Sequence, residues 1–436
     1  MKQSEFKKRR QALMQQIGTG NIAIIASASS AVRNRDVHYP FRQDSDFYYL
    51  TGFNEADALA VFIPGREQGE YVLFCREYDA TKALWEGAHA GLEGATTHYG
   101  ADDAFPIDDL DEILPGMLEN KAKVFYPMGK NGELDHKLLD WINHIRKQSR
   151  SGVTAPGELV SLEHIVHEMR LFKSAEEIKL MRRAAEISAQ AHVRAMQYCQ
   201  AGVYEFEVEA ELIHQFMRSG LRAVAYPSIV AGGKNACVLH YTENADKLRK
   251  GDLLLIDAGA ECDHYAADIT RTFPVSGKFS EPQRLLYQLV LDAQAAALDE
   301  IAPGIAWNKA HEASVEVLTK GLVELGLLKG RIKKLIKEEK YKQFYMHRIG
   351  HWLGMDVHDV GDYKIKDEWR LLEPGMVLTV EPGLYVSAEC QTVDKQWRGI
   401  GIRIEDDVLV TADGYEVLTA SVPKTVEAIE AVMRSK

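Results

Sequence analysis

The chain has 436 residues, of which 52 are lysine or arginine and 64 are aspartate or glutamate, so the formal net charge is −12. With 46% hydrophobic and 27% charged residues, the composition is that of a folded globular protein of two to three domains and excludes a disordered or fibrous chain. The acidic balance also argues against a nucleic-acid partner, because such a partner requires a basic face.

The cysteines argue for a reducing compartment. They are odd in number and include no Cys-x-x-Cys pair, so they fit neither a disulfide framework nor a zinc ribbon. Their positions are Cys75, Cys199, Cys237, Cys262 and Cys390. The basic first residues lead into no long apolar stretch, and nothing in the sequence is long and apolar enough for a membrane helix. We therefore expect a cytoplasmic protein without a membrane partner.

Short β-rich runs characterise the first part of the chain, at residues 22–25, 59–63 and 71–74. Polar and glycine-containing connections separate them, and this alternation is typical of an α/β domain.

A domain boundary is predicted between residues 155 and 174. The segment SGVTAPG, residues 151–157, indicates a turn or linker. Ser174 and Glu177 then match a capping box, so a long helix is predicted to follow Ser174.

An internal repeat follows in the second part of the chain. In LRKGDLLLIDAG and LLEPGMVLTVEPG, a glycine turn leads into an apolar strand that reaches Asp257 or Glu381 six residues after the glycine. Each strand is followed by another that carries an acid, Asp268 or Glu405. Two copies of a helix-plus-hairpin unit would bring the four carboxylates together near a pseudo-twofold axis. The alternative is chance similarity between two hairpins.

These four acids interrupt apolar strand patterns, where an ionised carboxylate costs several kcal/mol to bury unless a cation or a hydrogen-bond donor meets it. A loop aspartate that accepts backbone amides would explain one such acid, but not four in two matched hairpins. A pair of divalent cations would neutralise all four. Oxygen-rich ligands of this kind suit manganese or cobalt more than a structural zinc.

A histidine-rich segment, HRIGHWLGMDVH at residues 347–358, is the best source of an imidazole ligand. It differs from the His-Glu-x-x-His helix of zinc proteases because Arg348 occupies the glutamate position, and Gly350 and Gly354 disfavour a helix. We expect a glycine-rich loop or irregular strand that presents three histidines to a cavity. His240 is a core residue or a residue beside the site.

Taken in order, the motifs resemble those of the aminopeptidase P group of the pita-bread metallopeptidases. They are LHYTEN, LLIDAGAE, ADITRTFP, HRIGHWLGMDVHD, VEPGLY and GIRIEDD, preceded by FRQDSDFYYLTGFNEADAL near the amino terminus. The resemblance spans nearly the whole chain, and none of the five ligand positions is substituted. It implies an α/β two-domain fold. Residues 1–165 would form an amino-terminal aminopeptidase P-like domain, and residues 174–436 a catalytic pita-bread domain with a pseudo-twofold internal repeat.

The resemblance also implies a dinuclear metal site, with manganese as the usual pair. Asp257 would chelate one ion, Asp268 and Glu405 would bridge the two ions, and His351 and Glu381 would hold the second. The ions would lower the pKa of a bridging water, so that hydroxide exists near neutral pH, and polarise the scissile carbonyl. Glu381 would in addition receive the proton of that water.

The implied substrate is a peptide with proline second, cleaved before that proline. This bond is a tertiary amide without an N–H, so a dedicated pocket is needed. His240, His347, His358 and Arg403 would surround the substrate and assist catalysis, with Tyr385 and Tyr226 as further pocket candidates. Arg403 could instead pair with the acidic run that begins at Glu405.

Relatives of this type form dimers or tetramers, and Trp85 resembles an aromatic residue that a neighbouring subunit contributes to the site. The alternative is a tryptophan half buried in its own domain. Two other functions are open. One is a prolidase, which uses the same five ligands on dipeptides. The other is a metal-free pita-bread protein, either a creatinase-like hydrolase or a binding module.

Overall fold

A computed structural model describes residues 1–435 and separates into two compact units, Met1–Arg170 and the residues from Leu171 onward. Within the described residues, no helix combines the length and the apolar character that a membrane crossing requires.

The first unit is built on a six-stranded mixed sheet with helices packed against it. The strands are β1 (Ile22–Ala26), β2 (Val32–Asn34), β3 (Val37–His38), β4 (Leu59–Phe62), β5 (Tyr71–Cys75), β6 (Asp103–Pro106), β7 (Lys123–Tyr126) and β8 (Glu158–Ser161). Their order across the sheet is β6-β5-β4-β1-β7-β8, and β2 and β3 form a separate hairpin. The three predicted runs are therefore confirmed as β1, β4 and β5. These strands are continuously apolar because both faces of the sheet are covered.

Seven α-helices accompany this sheet. They are α1 (Gln3–Ile17), α2 (Ser45–Thr51), α3 (Ala80–Glu86), α4 (Gly91–Thr97), α5 (Leu110–Leu118), α6 (Gly132–Lys147) and α7 (Glu163–Leu171). Short 3₁₀ turns lie at Ile107–Asp109 and Ser149–Ser151. Helix α3 differs from its neighbours because none of its side chains is buried.

The second unit contains the predicted repeat. Its helices are α8 (Ala175–Tyr198), α9 (Glu205–Arg218), α10 (Glu281–Leu298), α11 (Asn308–Glu324), α12 (Ile332–Lys337) and α13 (Val426–Arg434). Its 3₁₀ turns are Gly233–Cys237, Lys340–Gln343 and Lys395–Trp397. The capping box that opens α8 is confirmed: the Ser174 side chain accepts from the Glu177 amide, and the Glu177 carboxylate accepts from the Ser174 amide.

The strands of the second unit are β9 (Ala223–Val224), β10 (Ile229–Gly232), β11 (Leu253–Asp257), β12 (Ala260–Cys262), β13 (Tyr265–Ala266), β14 (Thr270–Pro274), β15 (Lys364–Ile365), β16 (Glu368–Trp369), β17 (Val377–Val380), β18 (Gly383–Val386), β19 (Ile400–Arg403), β20 (Asp406–Thr411) and β21 (Gly414–Val417). In each half, a helix pair precedes a three-stranded antiparallel sheet. Helices α8 and α9 precede β10-β11-β14, and α10 and α11 precede β17-β20-β21.

The register of the two hairpins brings the four acids to equivalent places. Strand β11 pairs with β14 so that Asp257 lies opposite Thr270, two residues after Asp268. Strand β17 pairs with β20 so that Val380 lies opposite Asp406. Glu381 directly follows Val380 and Glu405 directly precedes Asp406, so these two acids also lie side by side. The acids of each hairpin therefore sit at the same end of the strand pair, as the repeat predicted.

Candidate metal centre

The four carboxylates occupy buried or largely buried positions at the ends of these strands. Asp257 ends β11, Glu381 follows β17, and Asp268 and Glu405 precede β14 and β20. Asp268 and Glu405 are only 5% and 2% exposed. Each of these two offers a carboxylate oxygen, and His351 a ring nitrogen, within 4.8 Å of one another, which is a spacing suited to a metal ion.

The ring of His351 has the orientation of a metal ligand. Its Nδ1 lies 3.0 Å from the carbonyl oxygen of Trp352, which can only accept, so Nδ1 carries the proton. Its Nε2 points at the carboxylates, 3.4 Å from Asp268 Oδ2 and 3.6 Å from Glu381 Oε1. An imidazole that is anchored in this way presents the other nitrogen to a cation.

The backbone next to His351 requires a glycine at position 350 because it lies directly against the backbone of Thr379. A Cβ on Gly350 would lie 1.9 Å from the carbonyl oxygen of Thr379. Next to this contact, the His351 amide donates to Thr379 Oγ1 (3.1 Å), and the Thr379 amide donates to the His351 carbonyl (2.9 Å). The predicted irregular segment is thus held against β17, and Gly350 permits the contact.

The electrostatics of the site call for cations. Burial and the neighbouring carboxylates of Asp268 and Glu381 raise the pKa of Glu405 well above its usual range. Burial raises the pKa of Glu381 to about 7. Burial opposes the charged form of His351 as well, but the carboxylates of Asp268 and Glu381 outweigh it and raise the pKa of that imidazole to about 9. Four clustered acids and one imidazole, mostly oxygen donors, fit a pair of divalent cations.

A hydrogen-bonded chain leads from Asp257 to His347. The Arg403 guanidinium donates to Asp257 Oδ2 (2.6 Å) and to the Tyr385 hydroxyl (3.0 Å). That hydroxyl lies 2.9 Å from His347 Nε2, while His347 Nδ1 lies 2.7 Å from the carbonyl oxygen of Arg348. Since Nδ1 donates to a carbonyl, Nε2 is the acceptor of the Tyr385 O–H. Arg403 thus pairs with Asp257, and the alternative pairing with the run at Glu405 is wrong.

Two further predicted histidines, His358 and His240, lie near these hydrogen-bonded residues. The ring of His358 meets His351 edge to face, with 4.4 Å between the ring centroids. Burial and the charge of Arg403 lower the pKa of His347 to about 3, and the nearby His240 contributes in the same direction. The pKa of His358 is lowered by burial, by His351 and by His240. His358 therefore contacts the candidate ligand His351, and His240 lies near both His347 and His358.

Two protein-family models match this chain. Residues 179–412 match the model of metallopeptidase family M24, and residues 6–126 match that of the aminopeptidase P N-terminal domain. The chain belongs to the aminopeptidase P branch of family M24. It is 46% identical over 430 residues to the Xaa-Pro aminopeptidase of Escherichia coli, covering 98% of this chain and 97% of that protein.

Solved aminopeptidase P structures share the whole fold. An aminopeptidase PepP structure from Pseudomonas aeruginosa is 57% identical with a TM-score of 0.99, covering 100% of this chain and 98% of the other. A zinc-substituted E. coli aminopeptidase P, in complex with product, is 45% identical with a TM-score of 0.97, and the coverage is 100% and 99%. The chain is accordingly a hydrolase of the M24 metallopeptidases, and the resemblance inferred from its motifs is confirmed, as are the two-domain fold and divalent metal binding.

Other residues of this M24 site also contact the carboxylates. The Tyr226 hydroxyl lies 2.6 Å from Asp257 Oδ1 and 2.5 Å from Asp268 Oδ1, so the structure places this predicted pocket residue against two predicted ligands. The sequence interpretation overlooked Thr270, whose hydroxyl donates to Glu405 Oε2 (2.7 Å). It also overlooked Asp407, whose carboxylate accepts from the Asp268 amide (3.2 Å). Their positions two residues from a predicted ligand were the available signal.

The remaining predicted residue, Trp85, lies outside this cluster, on α3 of the first unit, with 86% of its surface exposed. The alternative of a tryptophan half buried in its own domain is therefore wrong. The role of Trp85 in a neighbouring subunit stays a prediction.

Proposed function

We propose that the chain releases the amino-terminal residue from peptides that have proline in the second position. The five ligands of the proposal are Asp257, Asp268, His351, Glu381 and Glu405, with Glu381 also taking a proton from the attacking water. The observation that carries this proposal is the convergence of four carboxylates on two shared partners. Asp268, Glu405 and Glu381 lie around the anchored His351 ring, and Asp257 shares the Tyr226 hydroxyl with Asp268, beside the hydrogen bonds from Arg403 through Tyr385 to His347. In this proposal residues 174–436 are the catalytic domain, and residues 1–165 the amino-terminal domain.

Two divalent ions held there would supply Lewis-acid chemistry, by lowering the pKa of a water molecule and polarising the substrate carbonyl. We propose manganese as the natural pair, because hard oxygen donors dominate the ligand set. One E. coli relative carries zinc by substitution.

The other site residues act on the substrate in this proposal. Arg403 and Tyr385 hold His347 in one tautomer, with Nε2 turned towards the Tyr385 hydroxyl. His240 and His358 then stabilise the tetrahedral intermediate and help to deliver a proton to the leaving proline nitrogen, while His347 lines the substrate pocket in its fixed tautomer. Arg403 and Tyr226 line the pocket while contacting Asp257.

A prolidase would use the same ligands, so the substrate length decides between the two activities. The match of residues 6–126 to the aminopeptidase P N-terminal domain supports the longer substrates. The test compares Gly-Pro with Gly-Pro-Ala at equal concentration on the manganese-loaded chain. We expect glycine release from the tripeptide at a much higher kcat/KM. Activity confined to the dipeptide would make the protein a prolidase, and no activity on either would reject both.

We propose a homo-oligomer, a dimer or a tetramer, in which Trp85 of one subunit narrows the site of another. The exposure of Trp85 and of the adjacent Leu84, both 86%, supports this idea, because two large apolar side chains on one short helix are expensive to leave in water. Trp85→Ala should raise KM for tripeptides or change the oligomeric state measured by light scattering.

A cytoplasmic location is proposed from the five free thiols, of which three are buried.

A further inference from the structure

The loop that carries His240 is held by one buried carboxylate on a neighbouring helix. Glu205, the first residue of α9, is 0% exposed and accepts four hydrogen bonds from the segment 232–246. The donors are the Gly232 amide (2.7 Å), Asn235 Nδ2 (3.0 Å), the Tyr241 hydroxyl (2.8 Å) and the Asp246 amide (2.8 Å). Two bonds fall on each oxygen, so the four donors fill the acceptor sites of the carboxylate.

The same segment is tied down at further points. The Glu205 amide donates to the Asp246 carbonyl (3.0 Å), and Asn244 Oδ1 accepts from the Val230 amide (2.9 Å). Near the start of the segment, a Cβ on Gly401 of β19 would lie 2.2 Å from the carbonyl oxygen of Ala236, so this stretch packs closely on the strand that ends at Arg403. Glu205 is the group that joins both ends of the segment, since its donors lie before and after His240.

His240 itself depends on this support. Its side chain is exposed, and within the described residues its ring makes no hydrogen bond of its own. Its neighbour Tyr241 is one of the four donors to Glu205. The place of the imidazole is therefore set by the backbone on which it sits, and that backbone is fixed by Glu205.

We propose that Glu205 is a positioning residue for the peptidase reaction, which acts by holding the 232–246 segment so that the imidazole of His240 faces the bound peptide. The inference rests on the proposed function of His240. A carboxylate is required because glutamine offers one acceptor oxygen, and its amide group would point at two of the four donors.

The test is a double-mutant cycle on the full-length, manganese-loaded chain with Gly-Pro-Ala as substrate. The variants are Glu205→Gln, His240→Ala and the double variant, and the matched control is Glu211→Gln. Glu211 also lies on α9, but its carboxylate pairs with Arg194 on α8. Metal content and the melting temperature are measured for every variant.

We expect Glu205→Gln to lower kcat/KM by roughly 10- to 100-fold with unchanged metal content, because a catalytic group that is displaced by about 1 Å loses that much. In the His240→Ala background the same change should lower kcat/KM less than about twofold, since there is no imidazole left to position. The Glu211→Gln control should stay within about twofold of the parent protein.

Several results would overturn the inference. Equal losses from Glu205→Gln in both backgrounds would show that Glu205 does not act through His240, and so would full activity of Glu205→Gln. Full activity of His240→Ala would remove the role of His240 together with the inference, while the peptidase activity of the parent protein would still stand. If Glu205→Gln does not fold, Tyr241→Phe removes one of the four bonds, and the same cycle then decides.

Discussion

Arg403 and Asp257 form a buried ion pair in which Arg403 Nη2 lies 2.6 Å from Asp257 Oδ2. The same guanidinium donates to Tyr385, which reaches His347, so one cation connects a candidate metal ligand to a candidate substrate histidine. Asp257 ends β11 in the first half of the repeat, and Arg403 ends β19 in the second. The pair therefore links the two halves at the point where the chemistry is proposed to occur.

Removing the Tyr385 hydroxyl should impair catalysis and leave metal binding intact. Tyr385→Phe keeps the ring but takes away the acceptor of Arg403 and the donor to His347 Nε2. We expect kcat on Gly-Pro-Ala to fall by about 10- to 100-fold with unchanged metal content. Tyr415→Phe, at an exposed position on β21, is the control and should leave kcat unchanged. A Tyr385→Phe enzyme with parental kcat would show that the hydrogen bonds from Arg403 through Tyr385 do not orient His347 for catalysis.

Loss of one carboxylate from the centre should abolish activity without unfolding the protein. In Asp268→Ala an acid that lies beside both His351 and Tyr226 is gone, and we expect kcat/KM to fall by at least about 10³-fold, since metal-assisted stabilisation is worth several kcal/mol. Metal content by mass spectrometry should fall as well, whereas the circular dichroism spectrum should be retained. Asp299→Ala, at an exposed helix end, serves as control. Full activity of Asp268→Ala would reject the ligand assignment.

The metal-free protein should become less stable as the pH rises. Glu381 has a folded-state pKa raised to about 7, so its favourable contribution is present below its unfolded pKa and is lost as the pH passes 7. His351, raised to about 9, contributes fully below its ordinary pKa and loses this contribution as the pH passes 9. We expect the free energy of unfolding of chelator-treated protein to fall by several kcal/mol between about pH 5 and about pH 9.

Adding manganese should reverse this dependence, because cation binding requires deprotonated ligands and therefore strengthens with pH. Urea unfolding at several pH values, with chelator or with manganese, measures both effects. Stability of the metal-free protein that rises over this range would contradict the assignment of Glu381 and His351 to one cluster of acids.

A buried network behind the centre should carry much of its stability. Arg271 donates to Asp406 Oδ1 (2.6 Å) and to the Glu405 carbonyl (2.5 Å), and both Arg271 and Asp406 are fully buried. Arg271→Met leaves the carboxylate of Asp406 with Lys424 as its remaining ion-pair partner and should lower the free energy of unfolding by about 3–5 kcal/mol. Arg182→Met breaks the exposed pair with Glu416 and should cost less than about 1 kcal/mol. Equal losses in urea unfolding would contradict this account of the network.

The sequence predicted the parts of this site that come from the main motifs. An acid within an apolar strand stands out in the sequence, because burying its charge is unfavourable unless a cation or a hydrogen-bond donor meets it. The repeat then pairs Asp257 with Glu381 and Asp268 with Glu405. The capping box likewise fixed the start of α8. These features are local or periodic, and a single chain displays them directly.

The connections between the motifs could not be read in the same way. The ion pair of Arg403 joins residues 146 positions apart, and Glu205 reaches a segment 27 to 41 positions away. A glutamate at the first position of a helix is ordinary in sequence, since it favours the positive end of the helix dipole, so nothing marks Glu205 before folding. Thr270, which contacts Glu405, and Thr379, which contacts His351, could not be identified from the sequence either, because threonine is common in strands.

The most direct test of the central claim is a metal titration of the chelator-treated protein, in which bound manganese and release of glycine from Gly-Pro-Ala are measured on the same samples. The proposed site predicts no activity in the metal-free protein and recovery to a plateau at two bound ions per chain. Undiminished glycine release from protein shown by mass spectrometry to contain no divalent metal would contradict it.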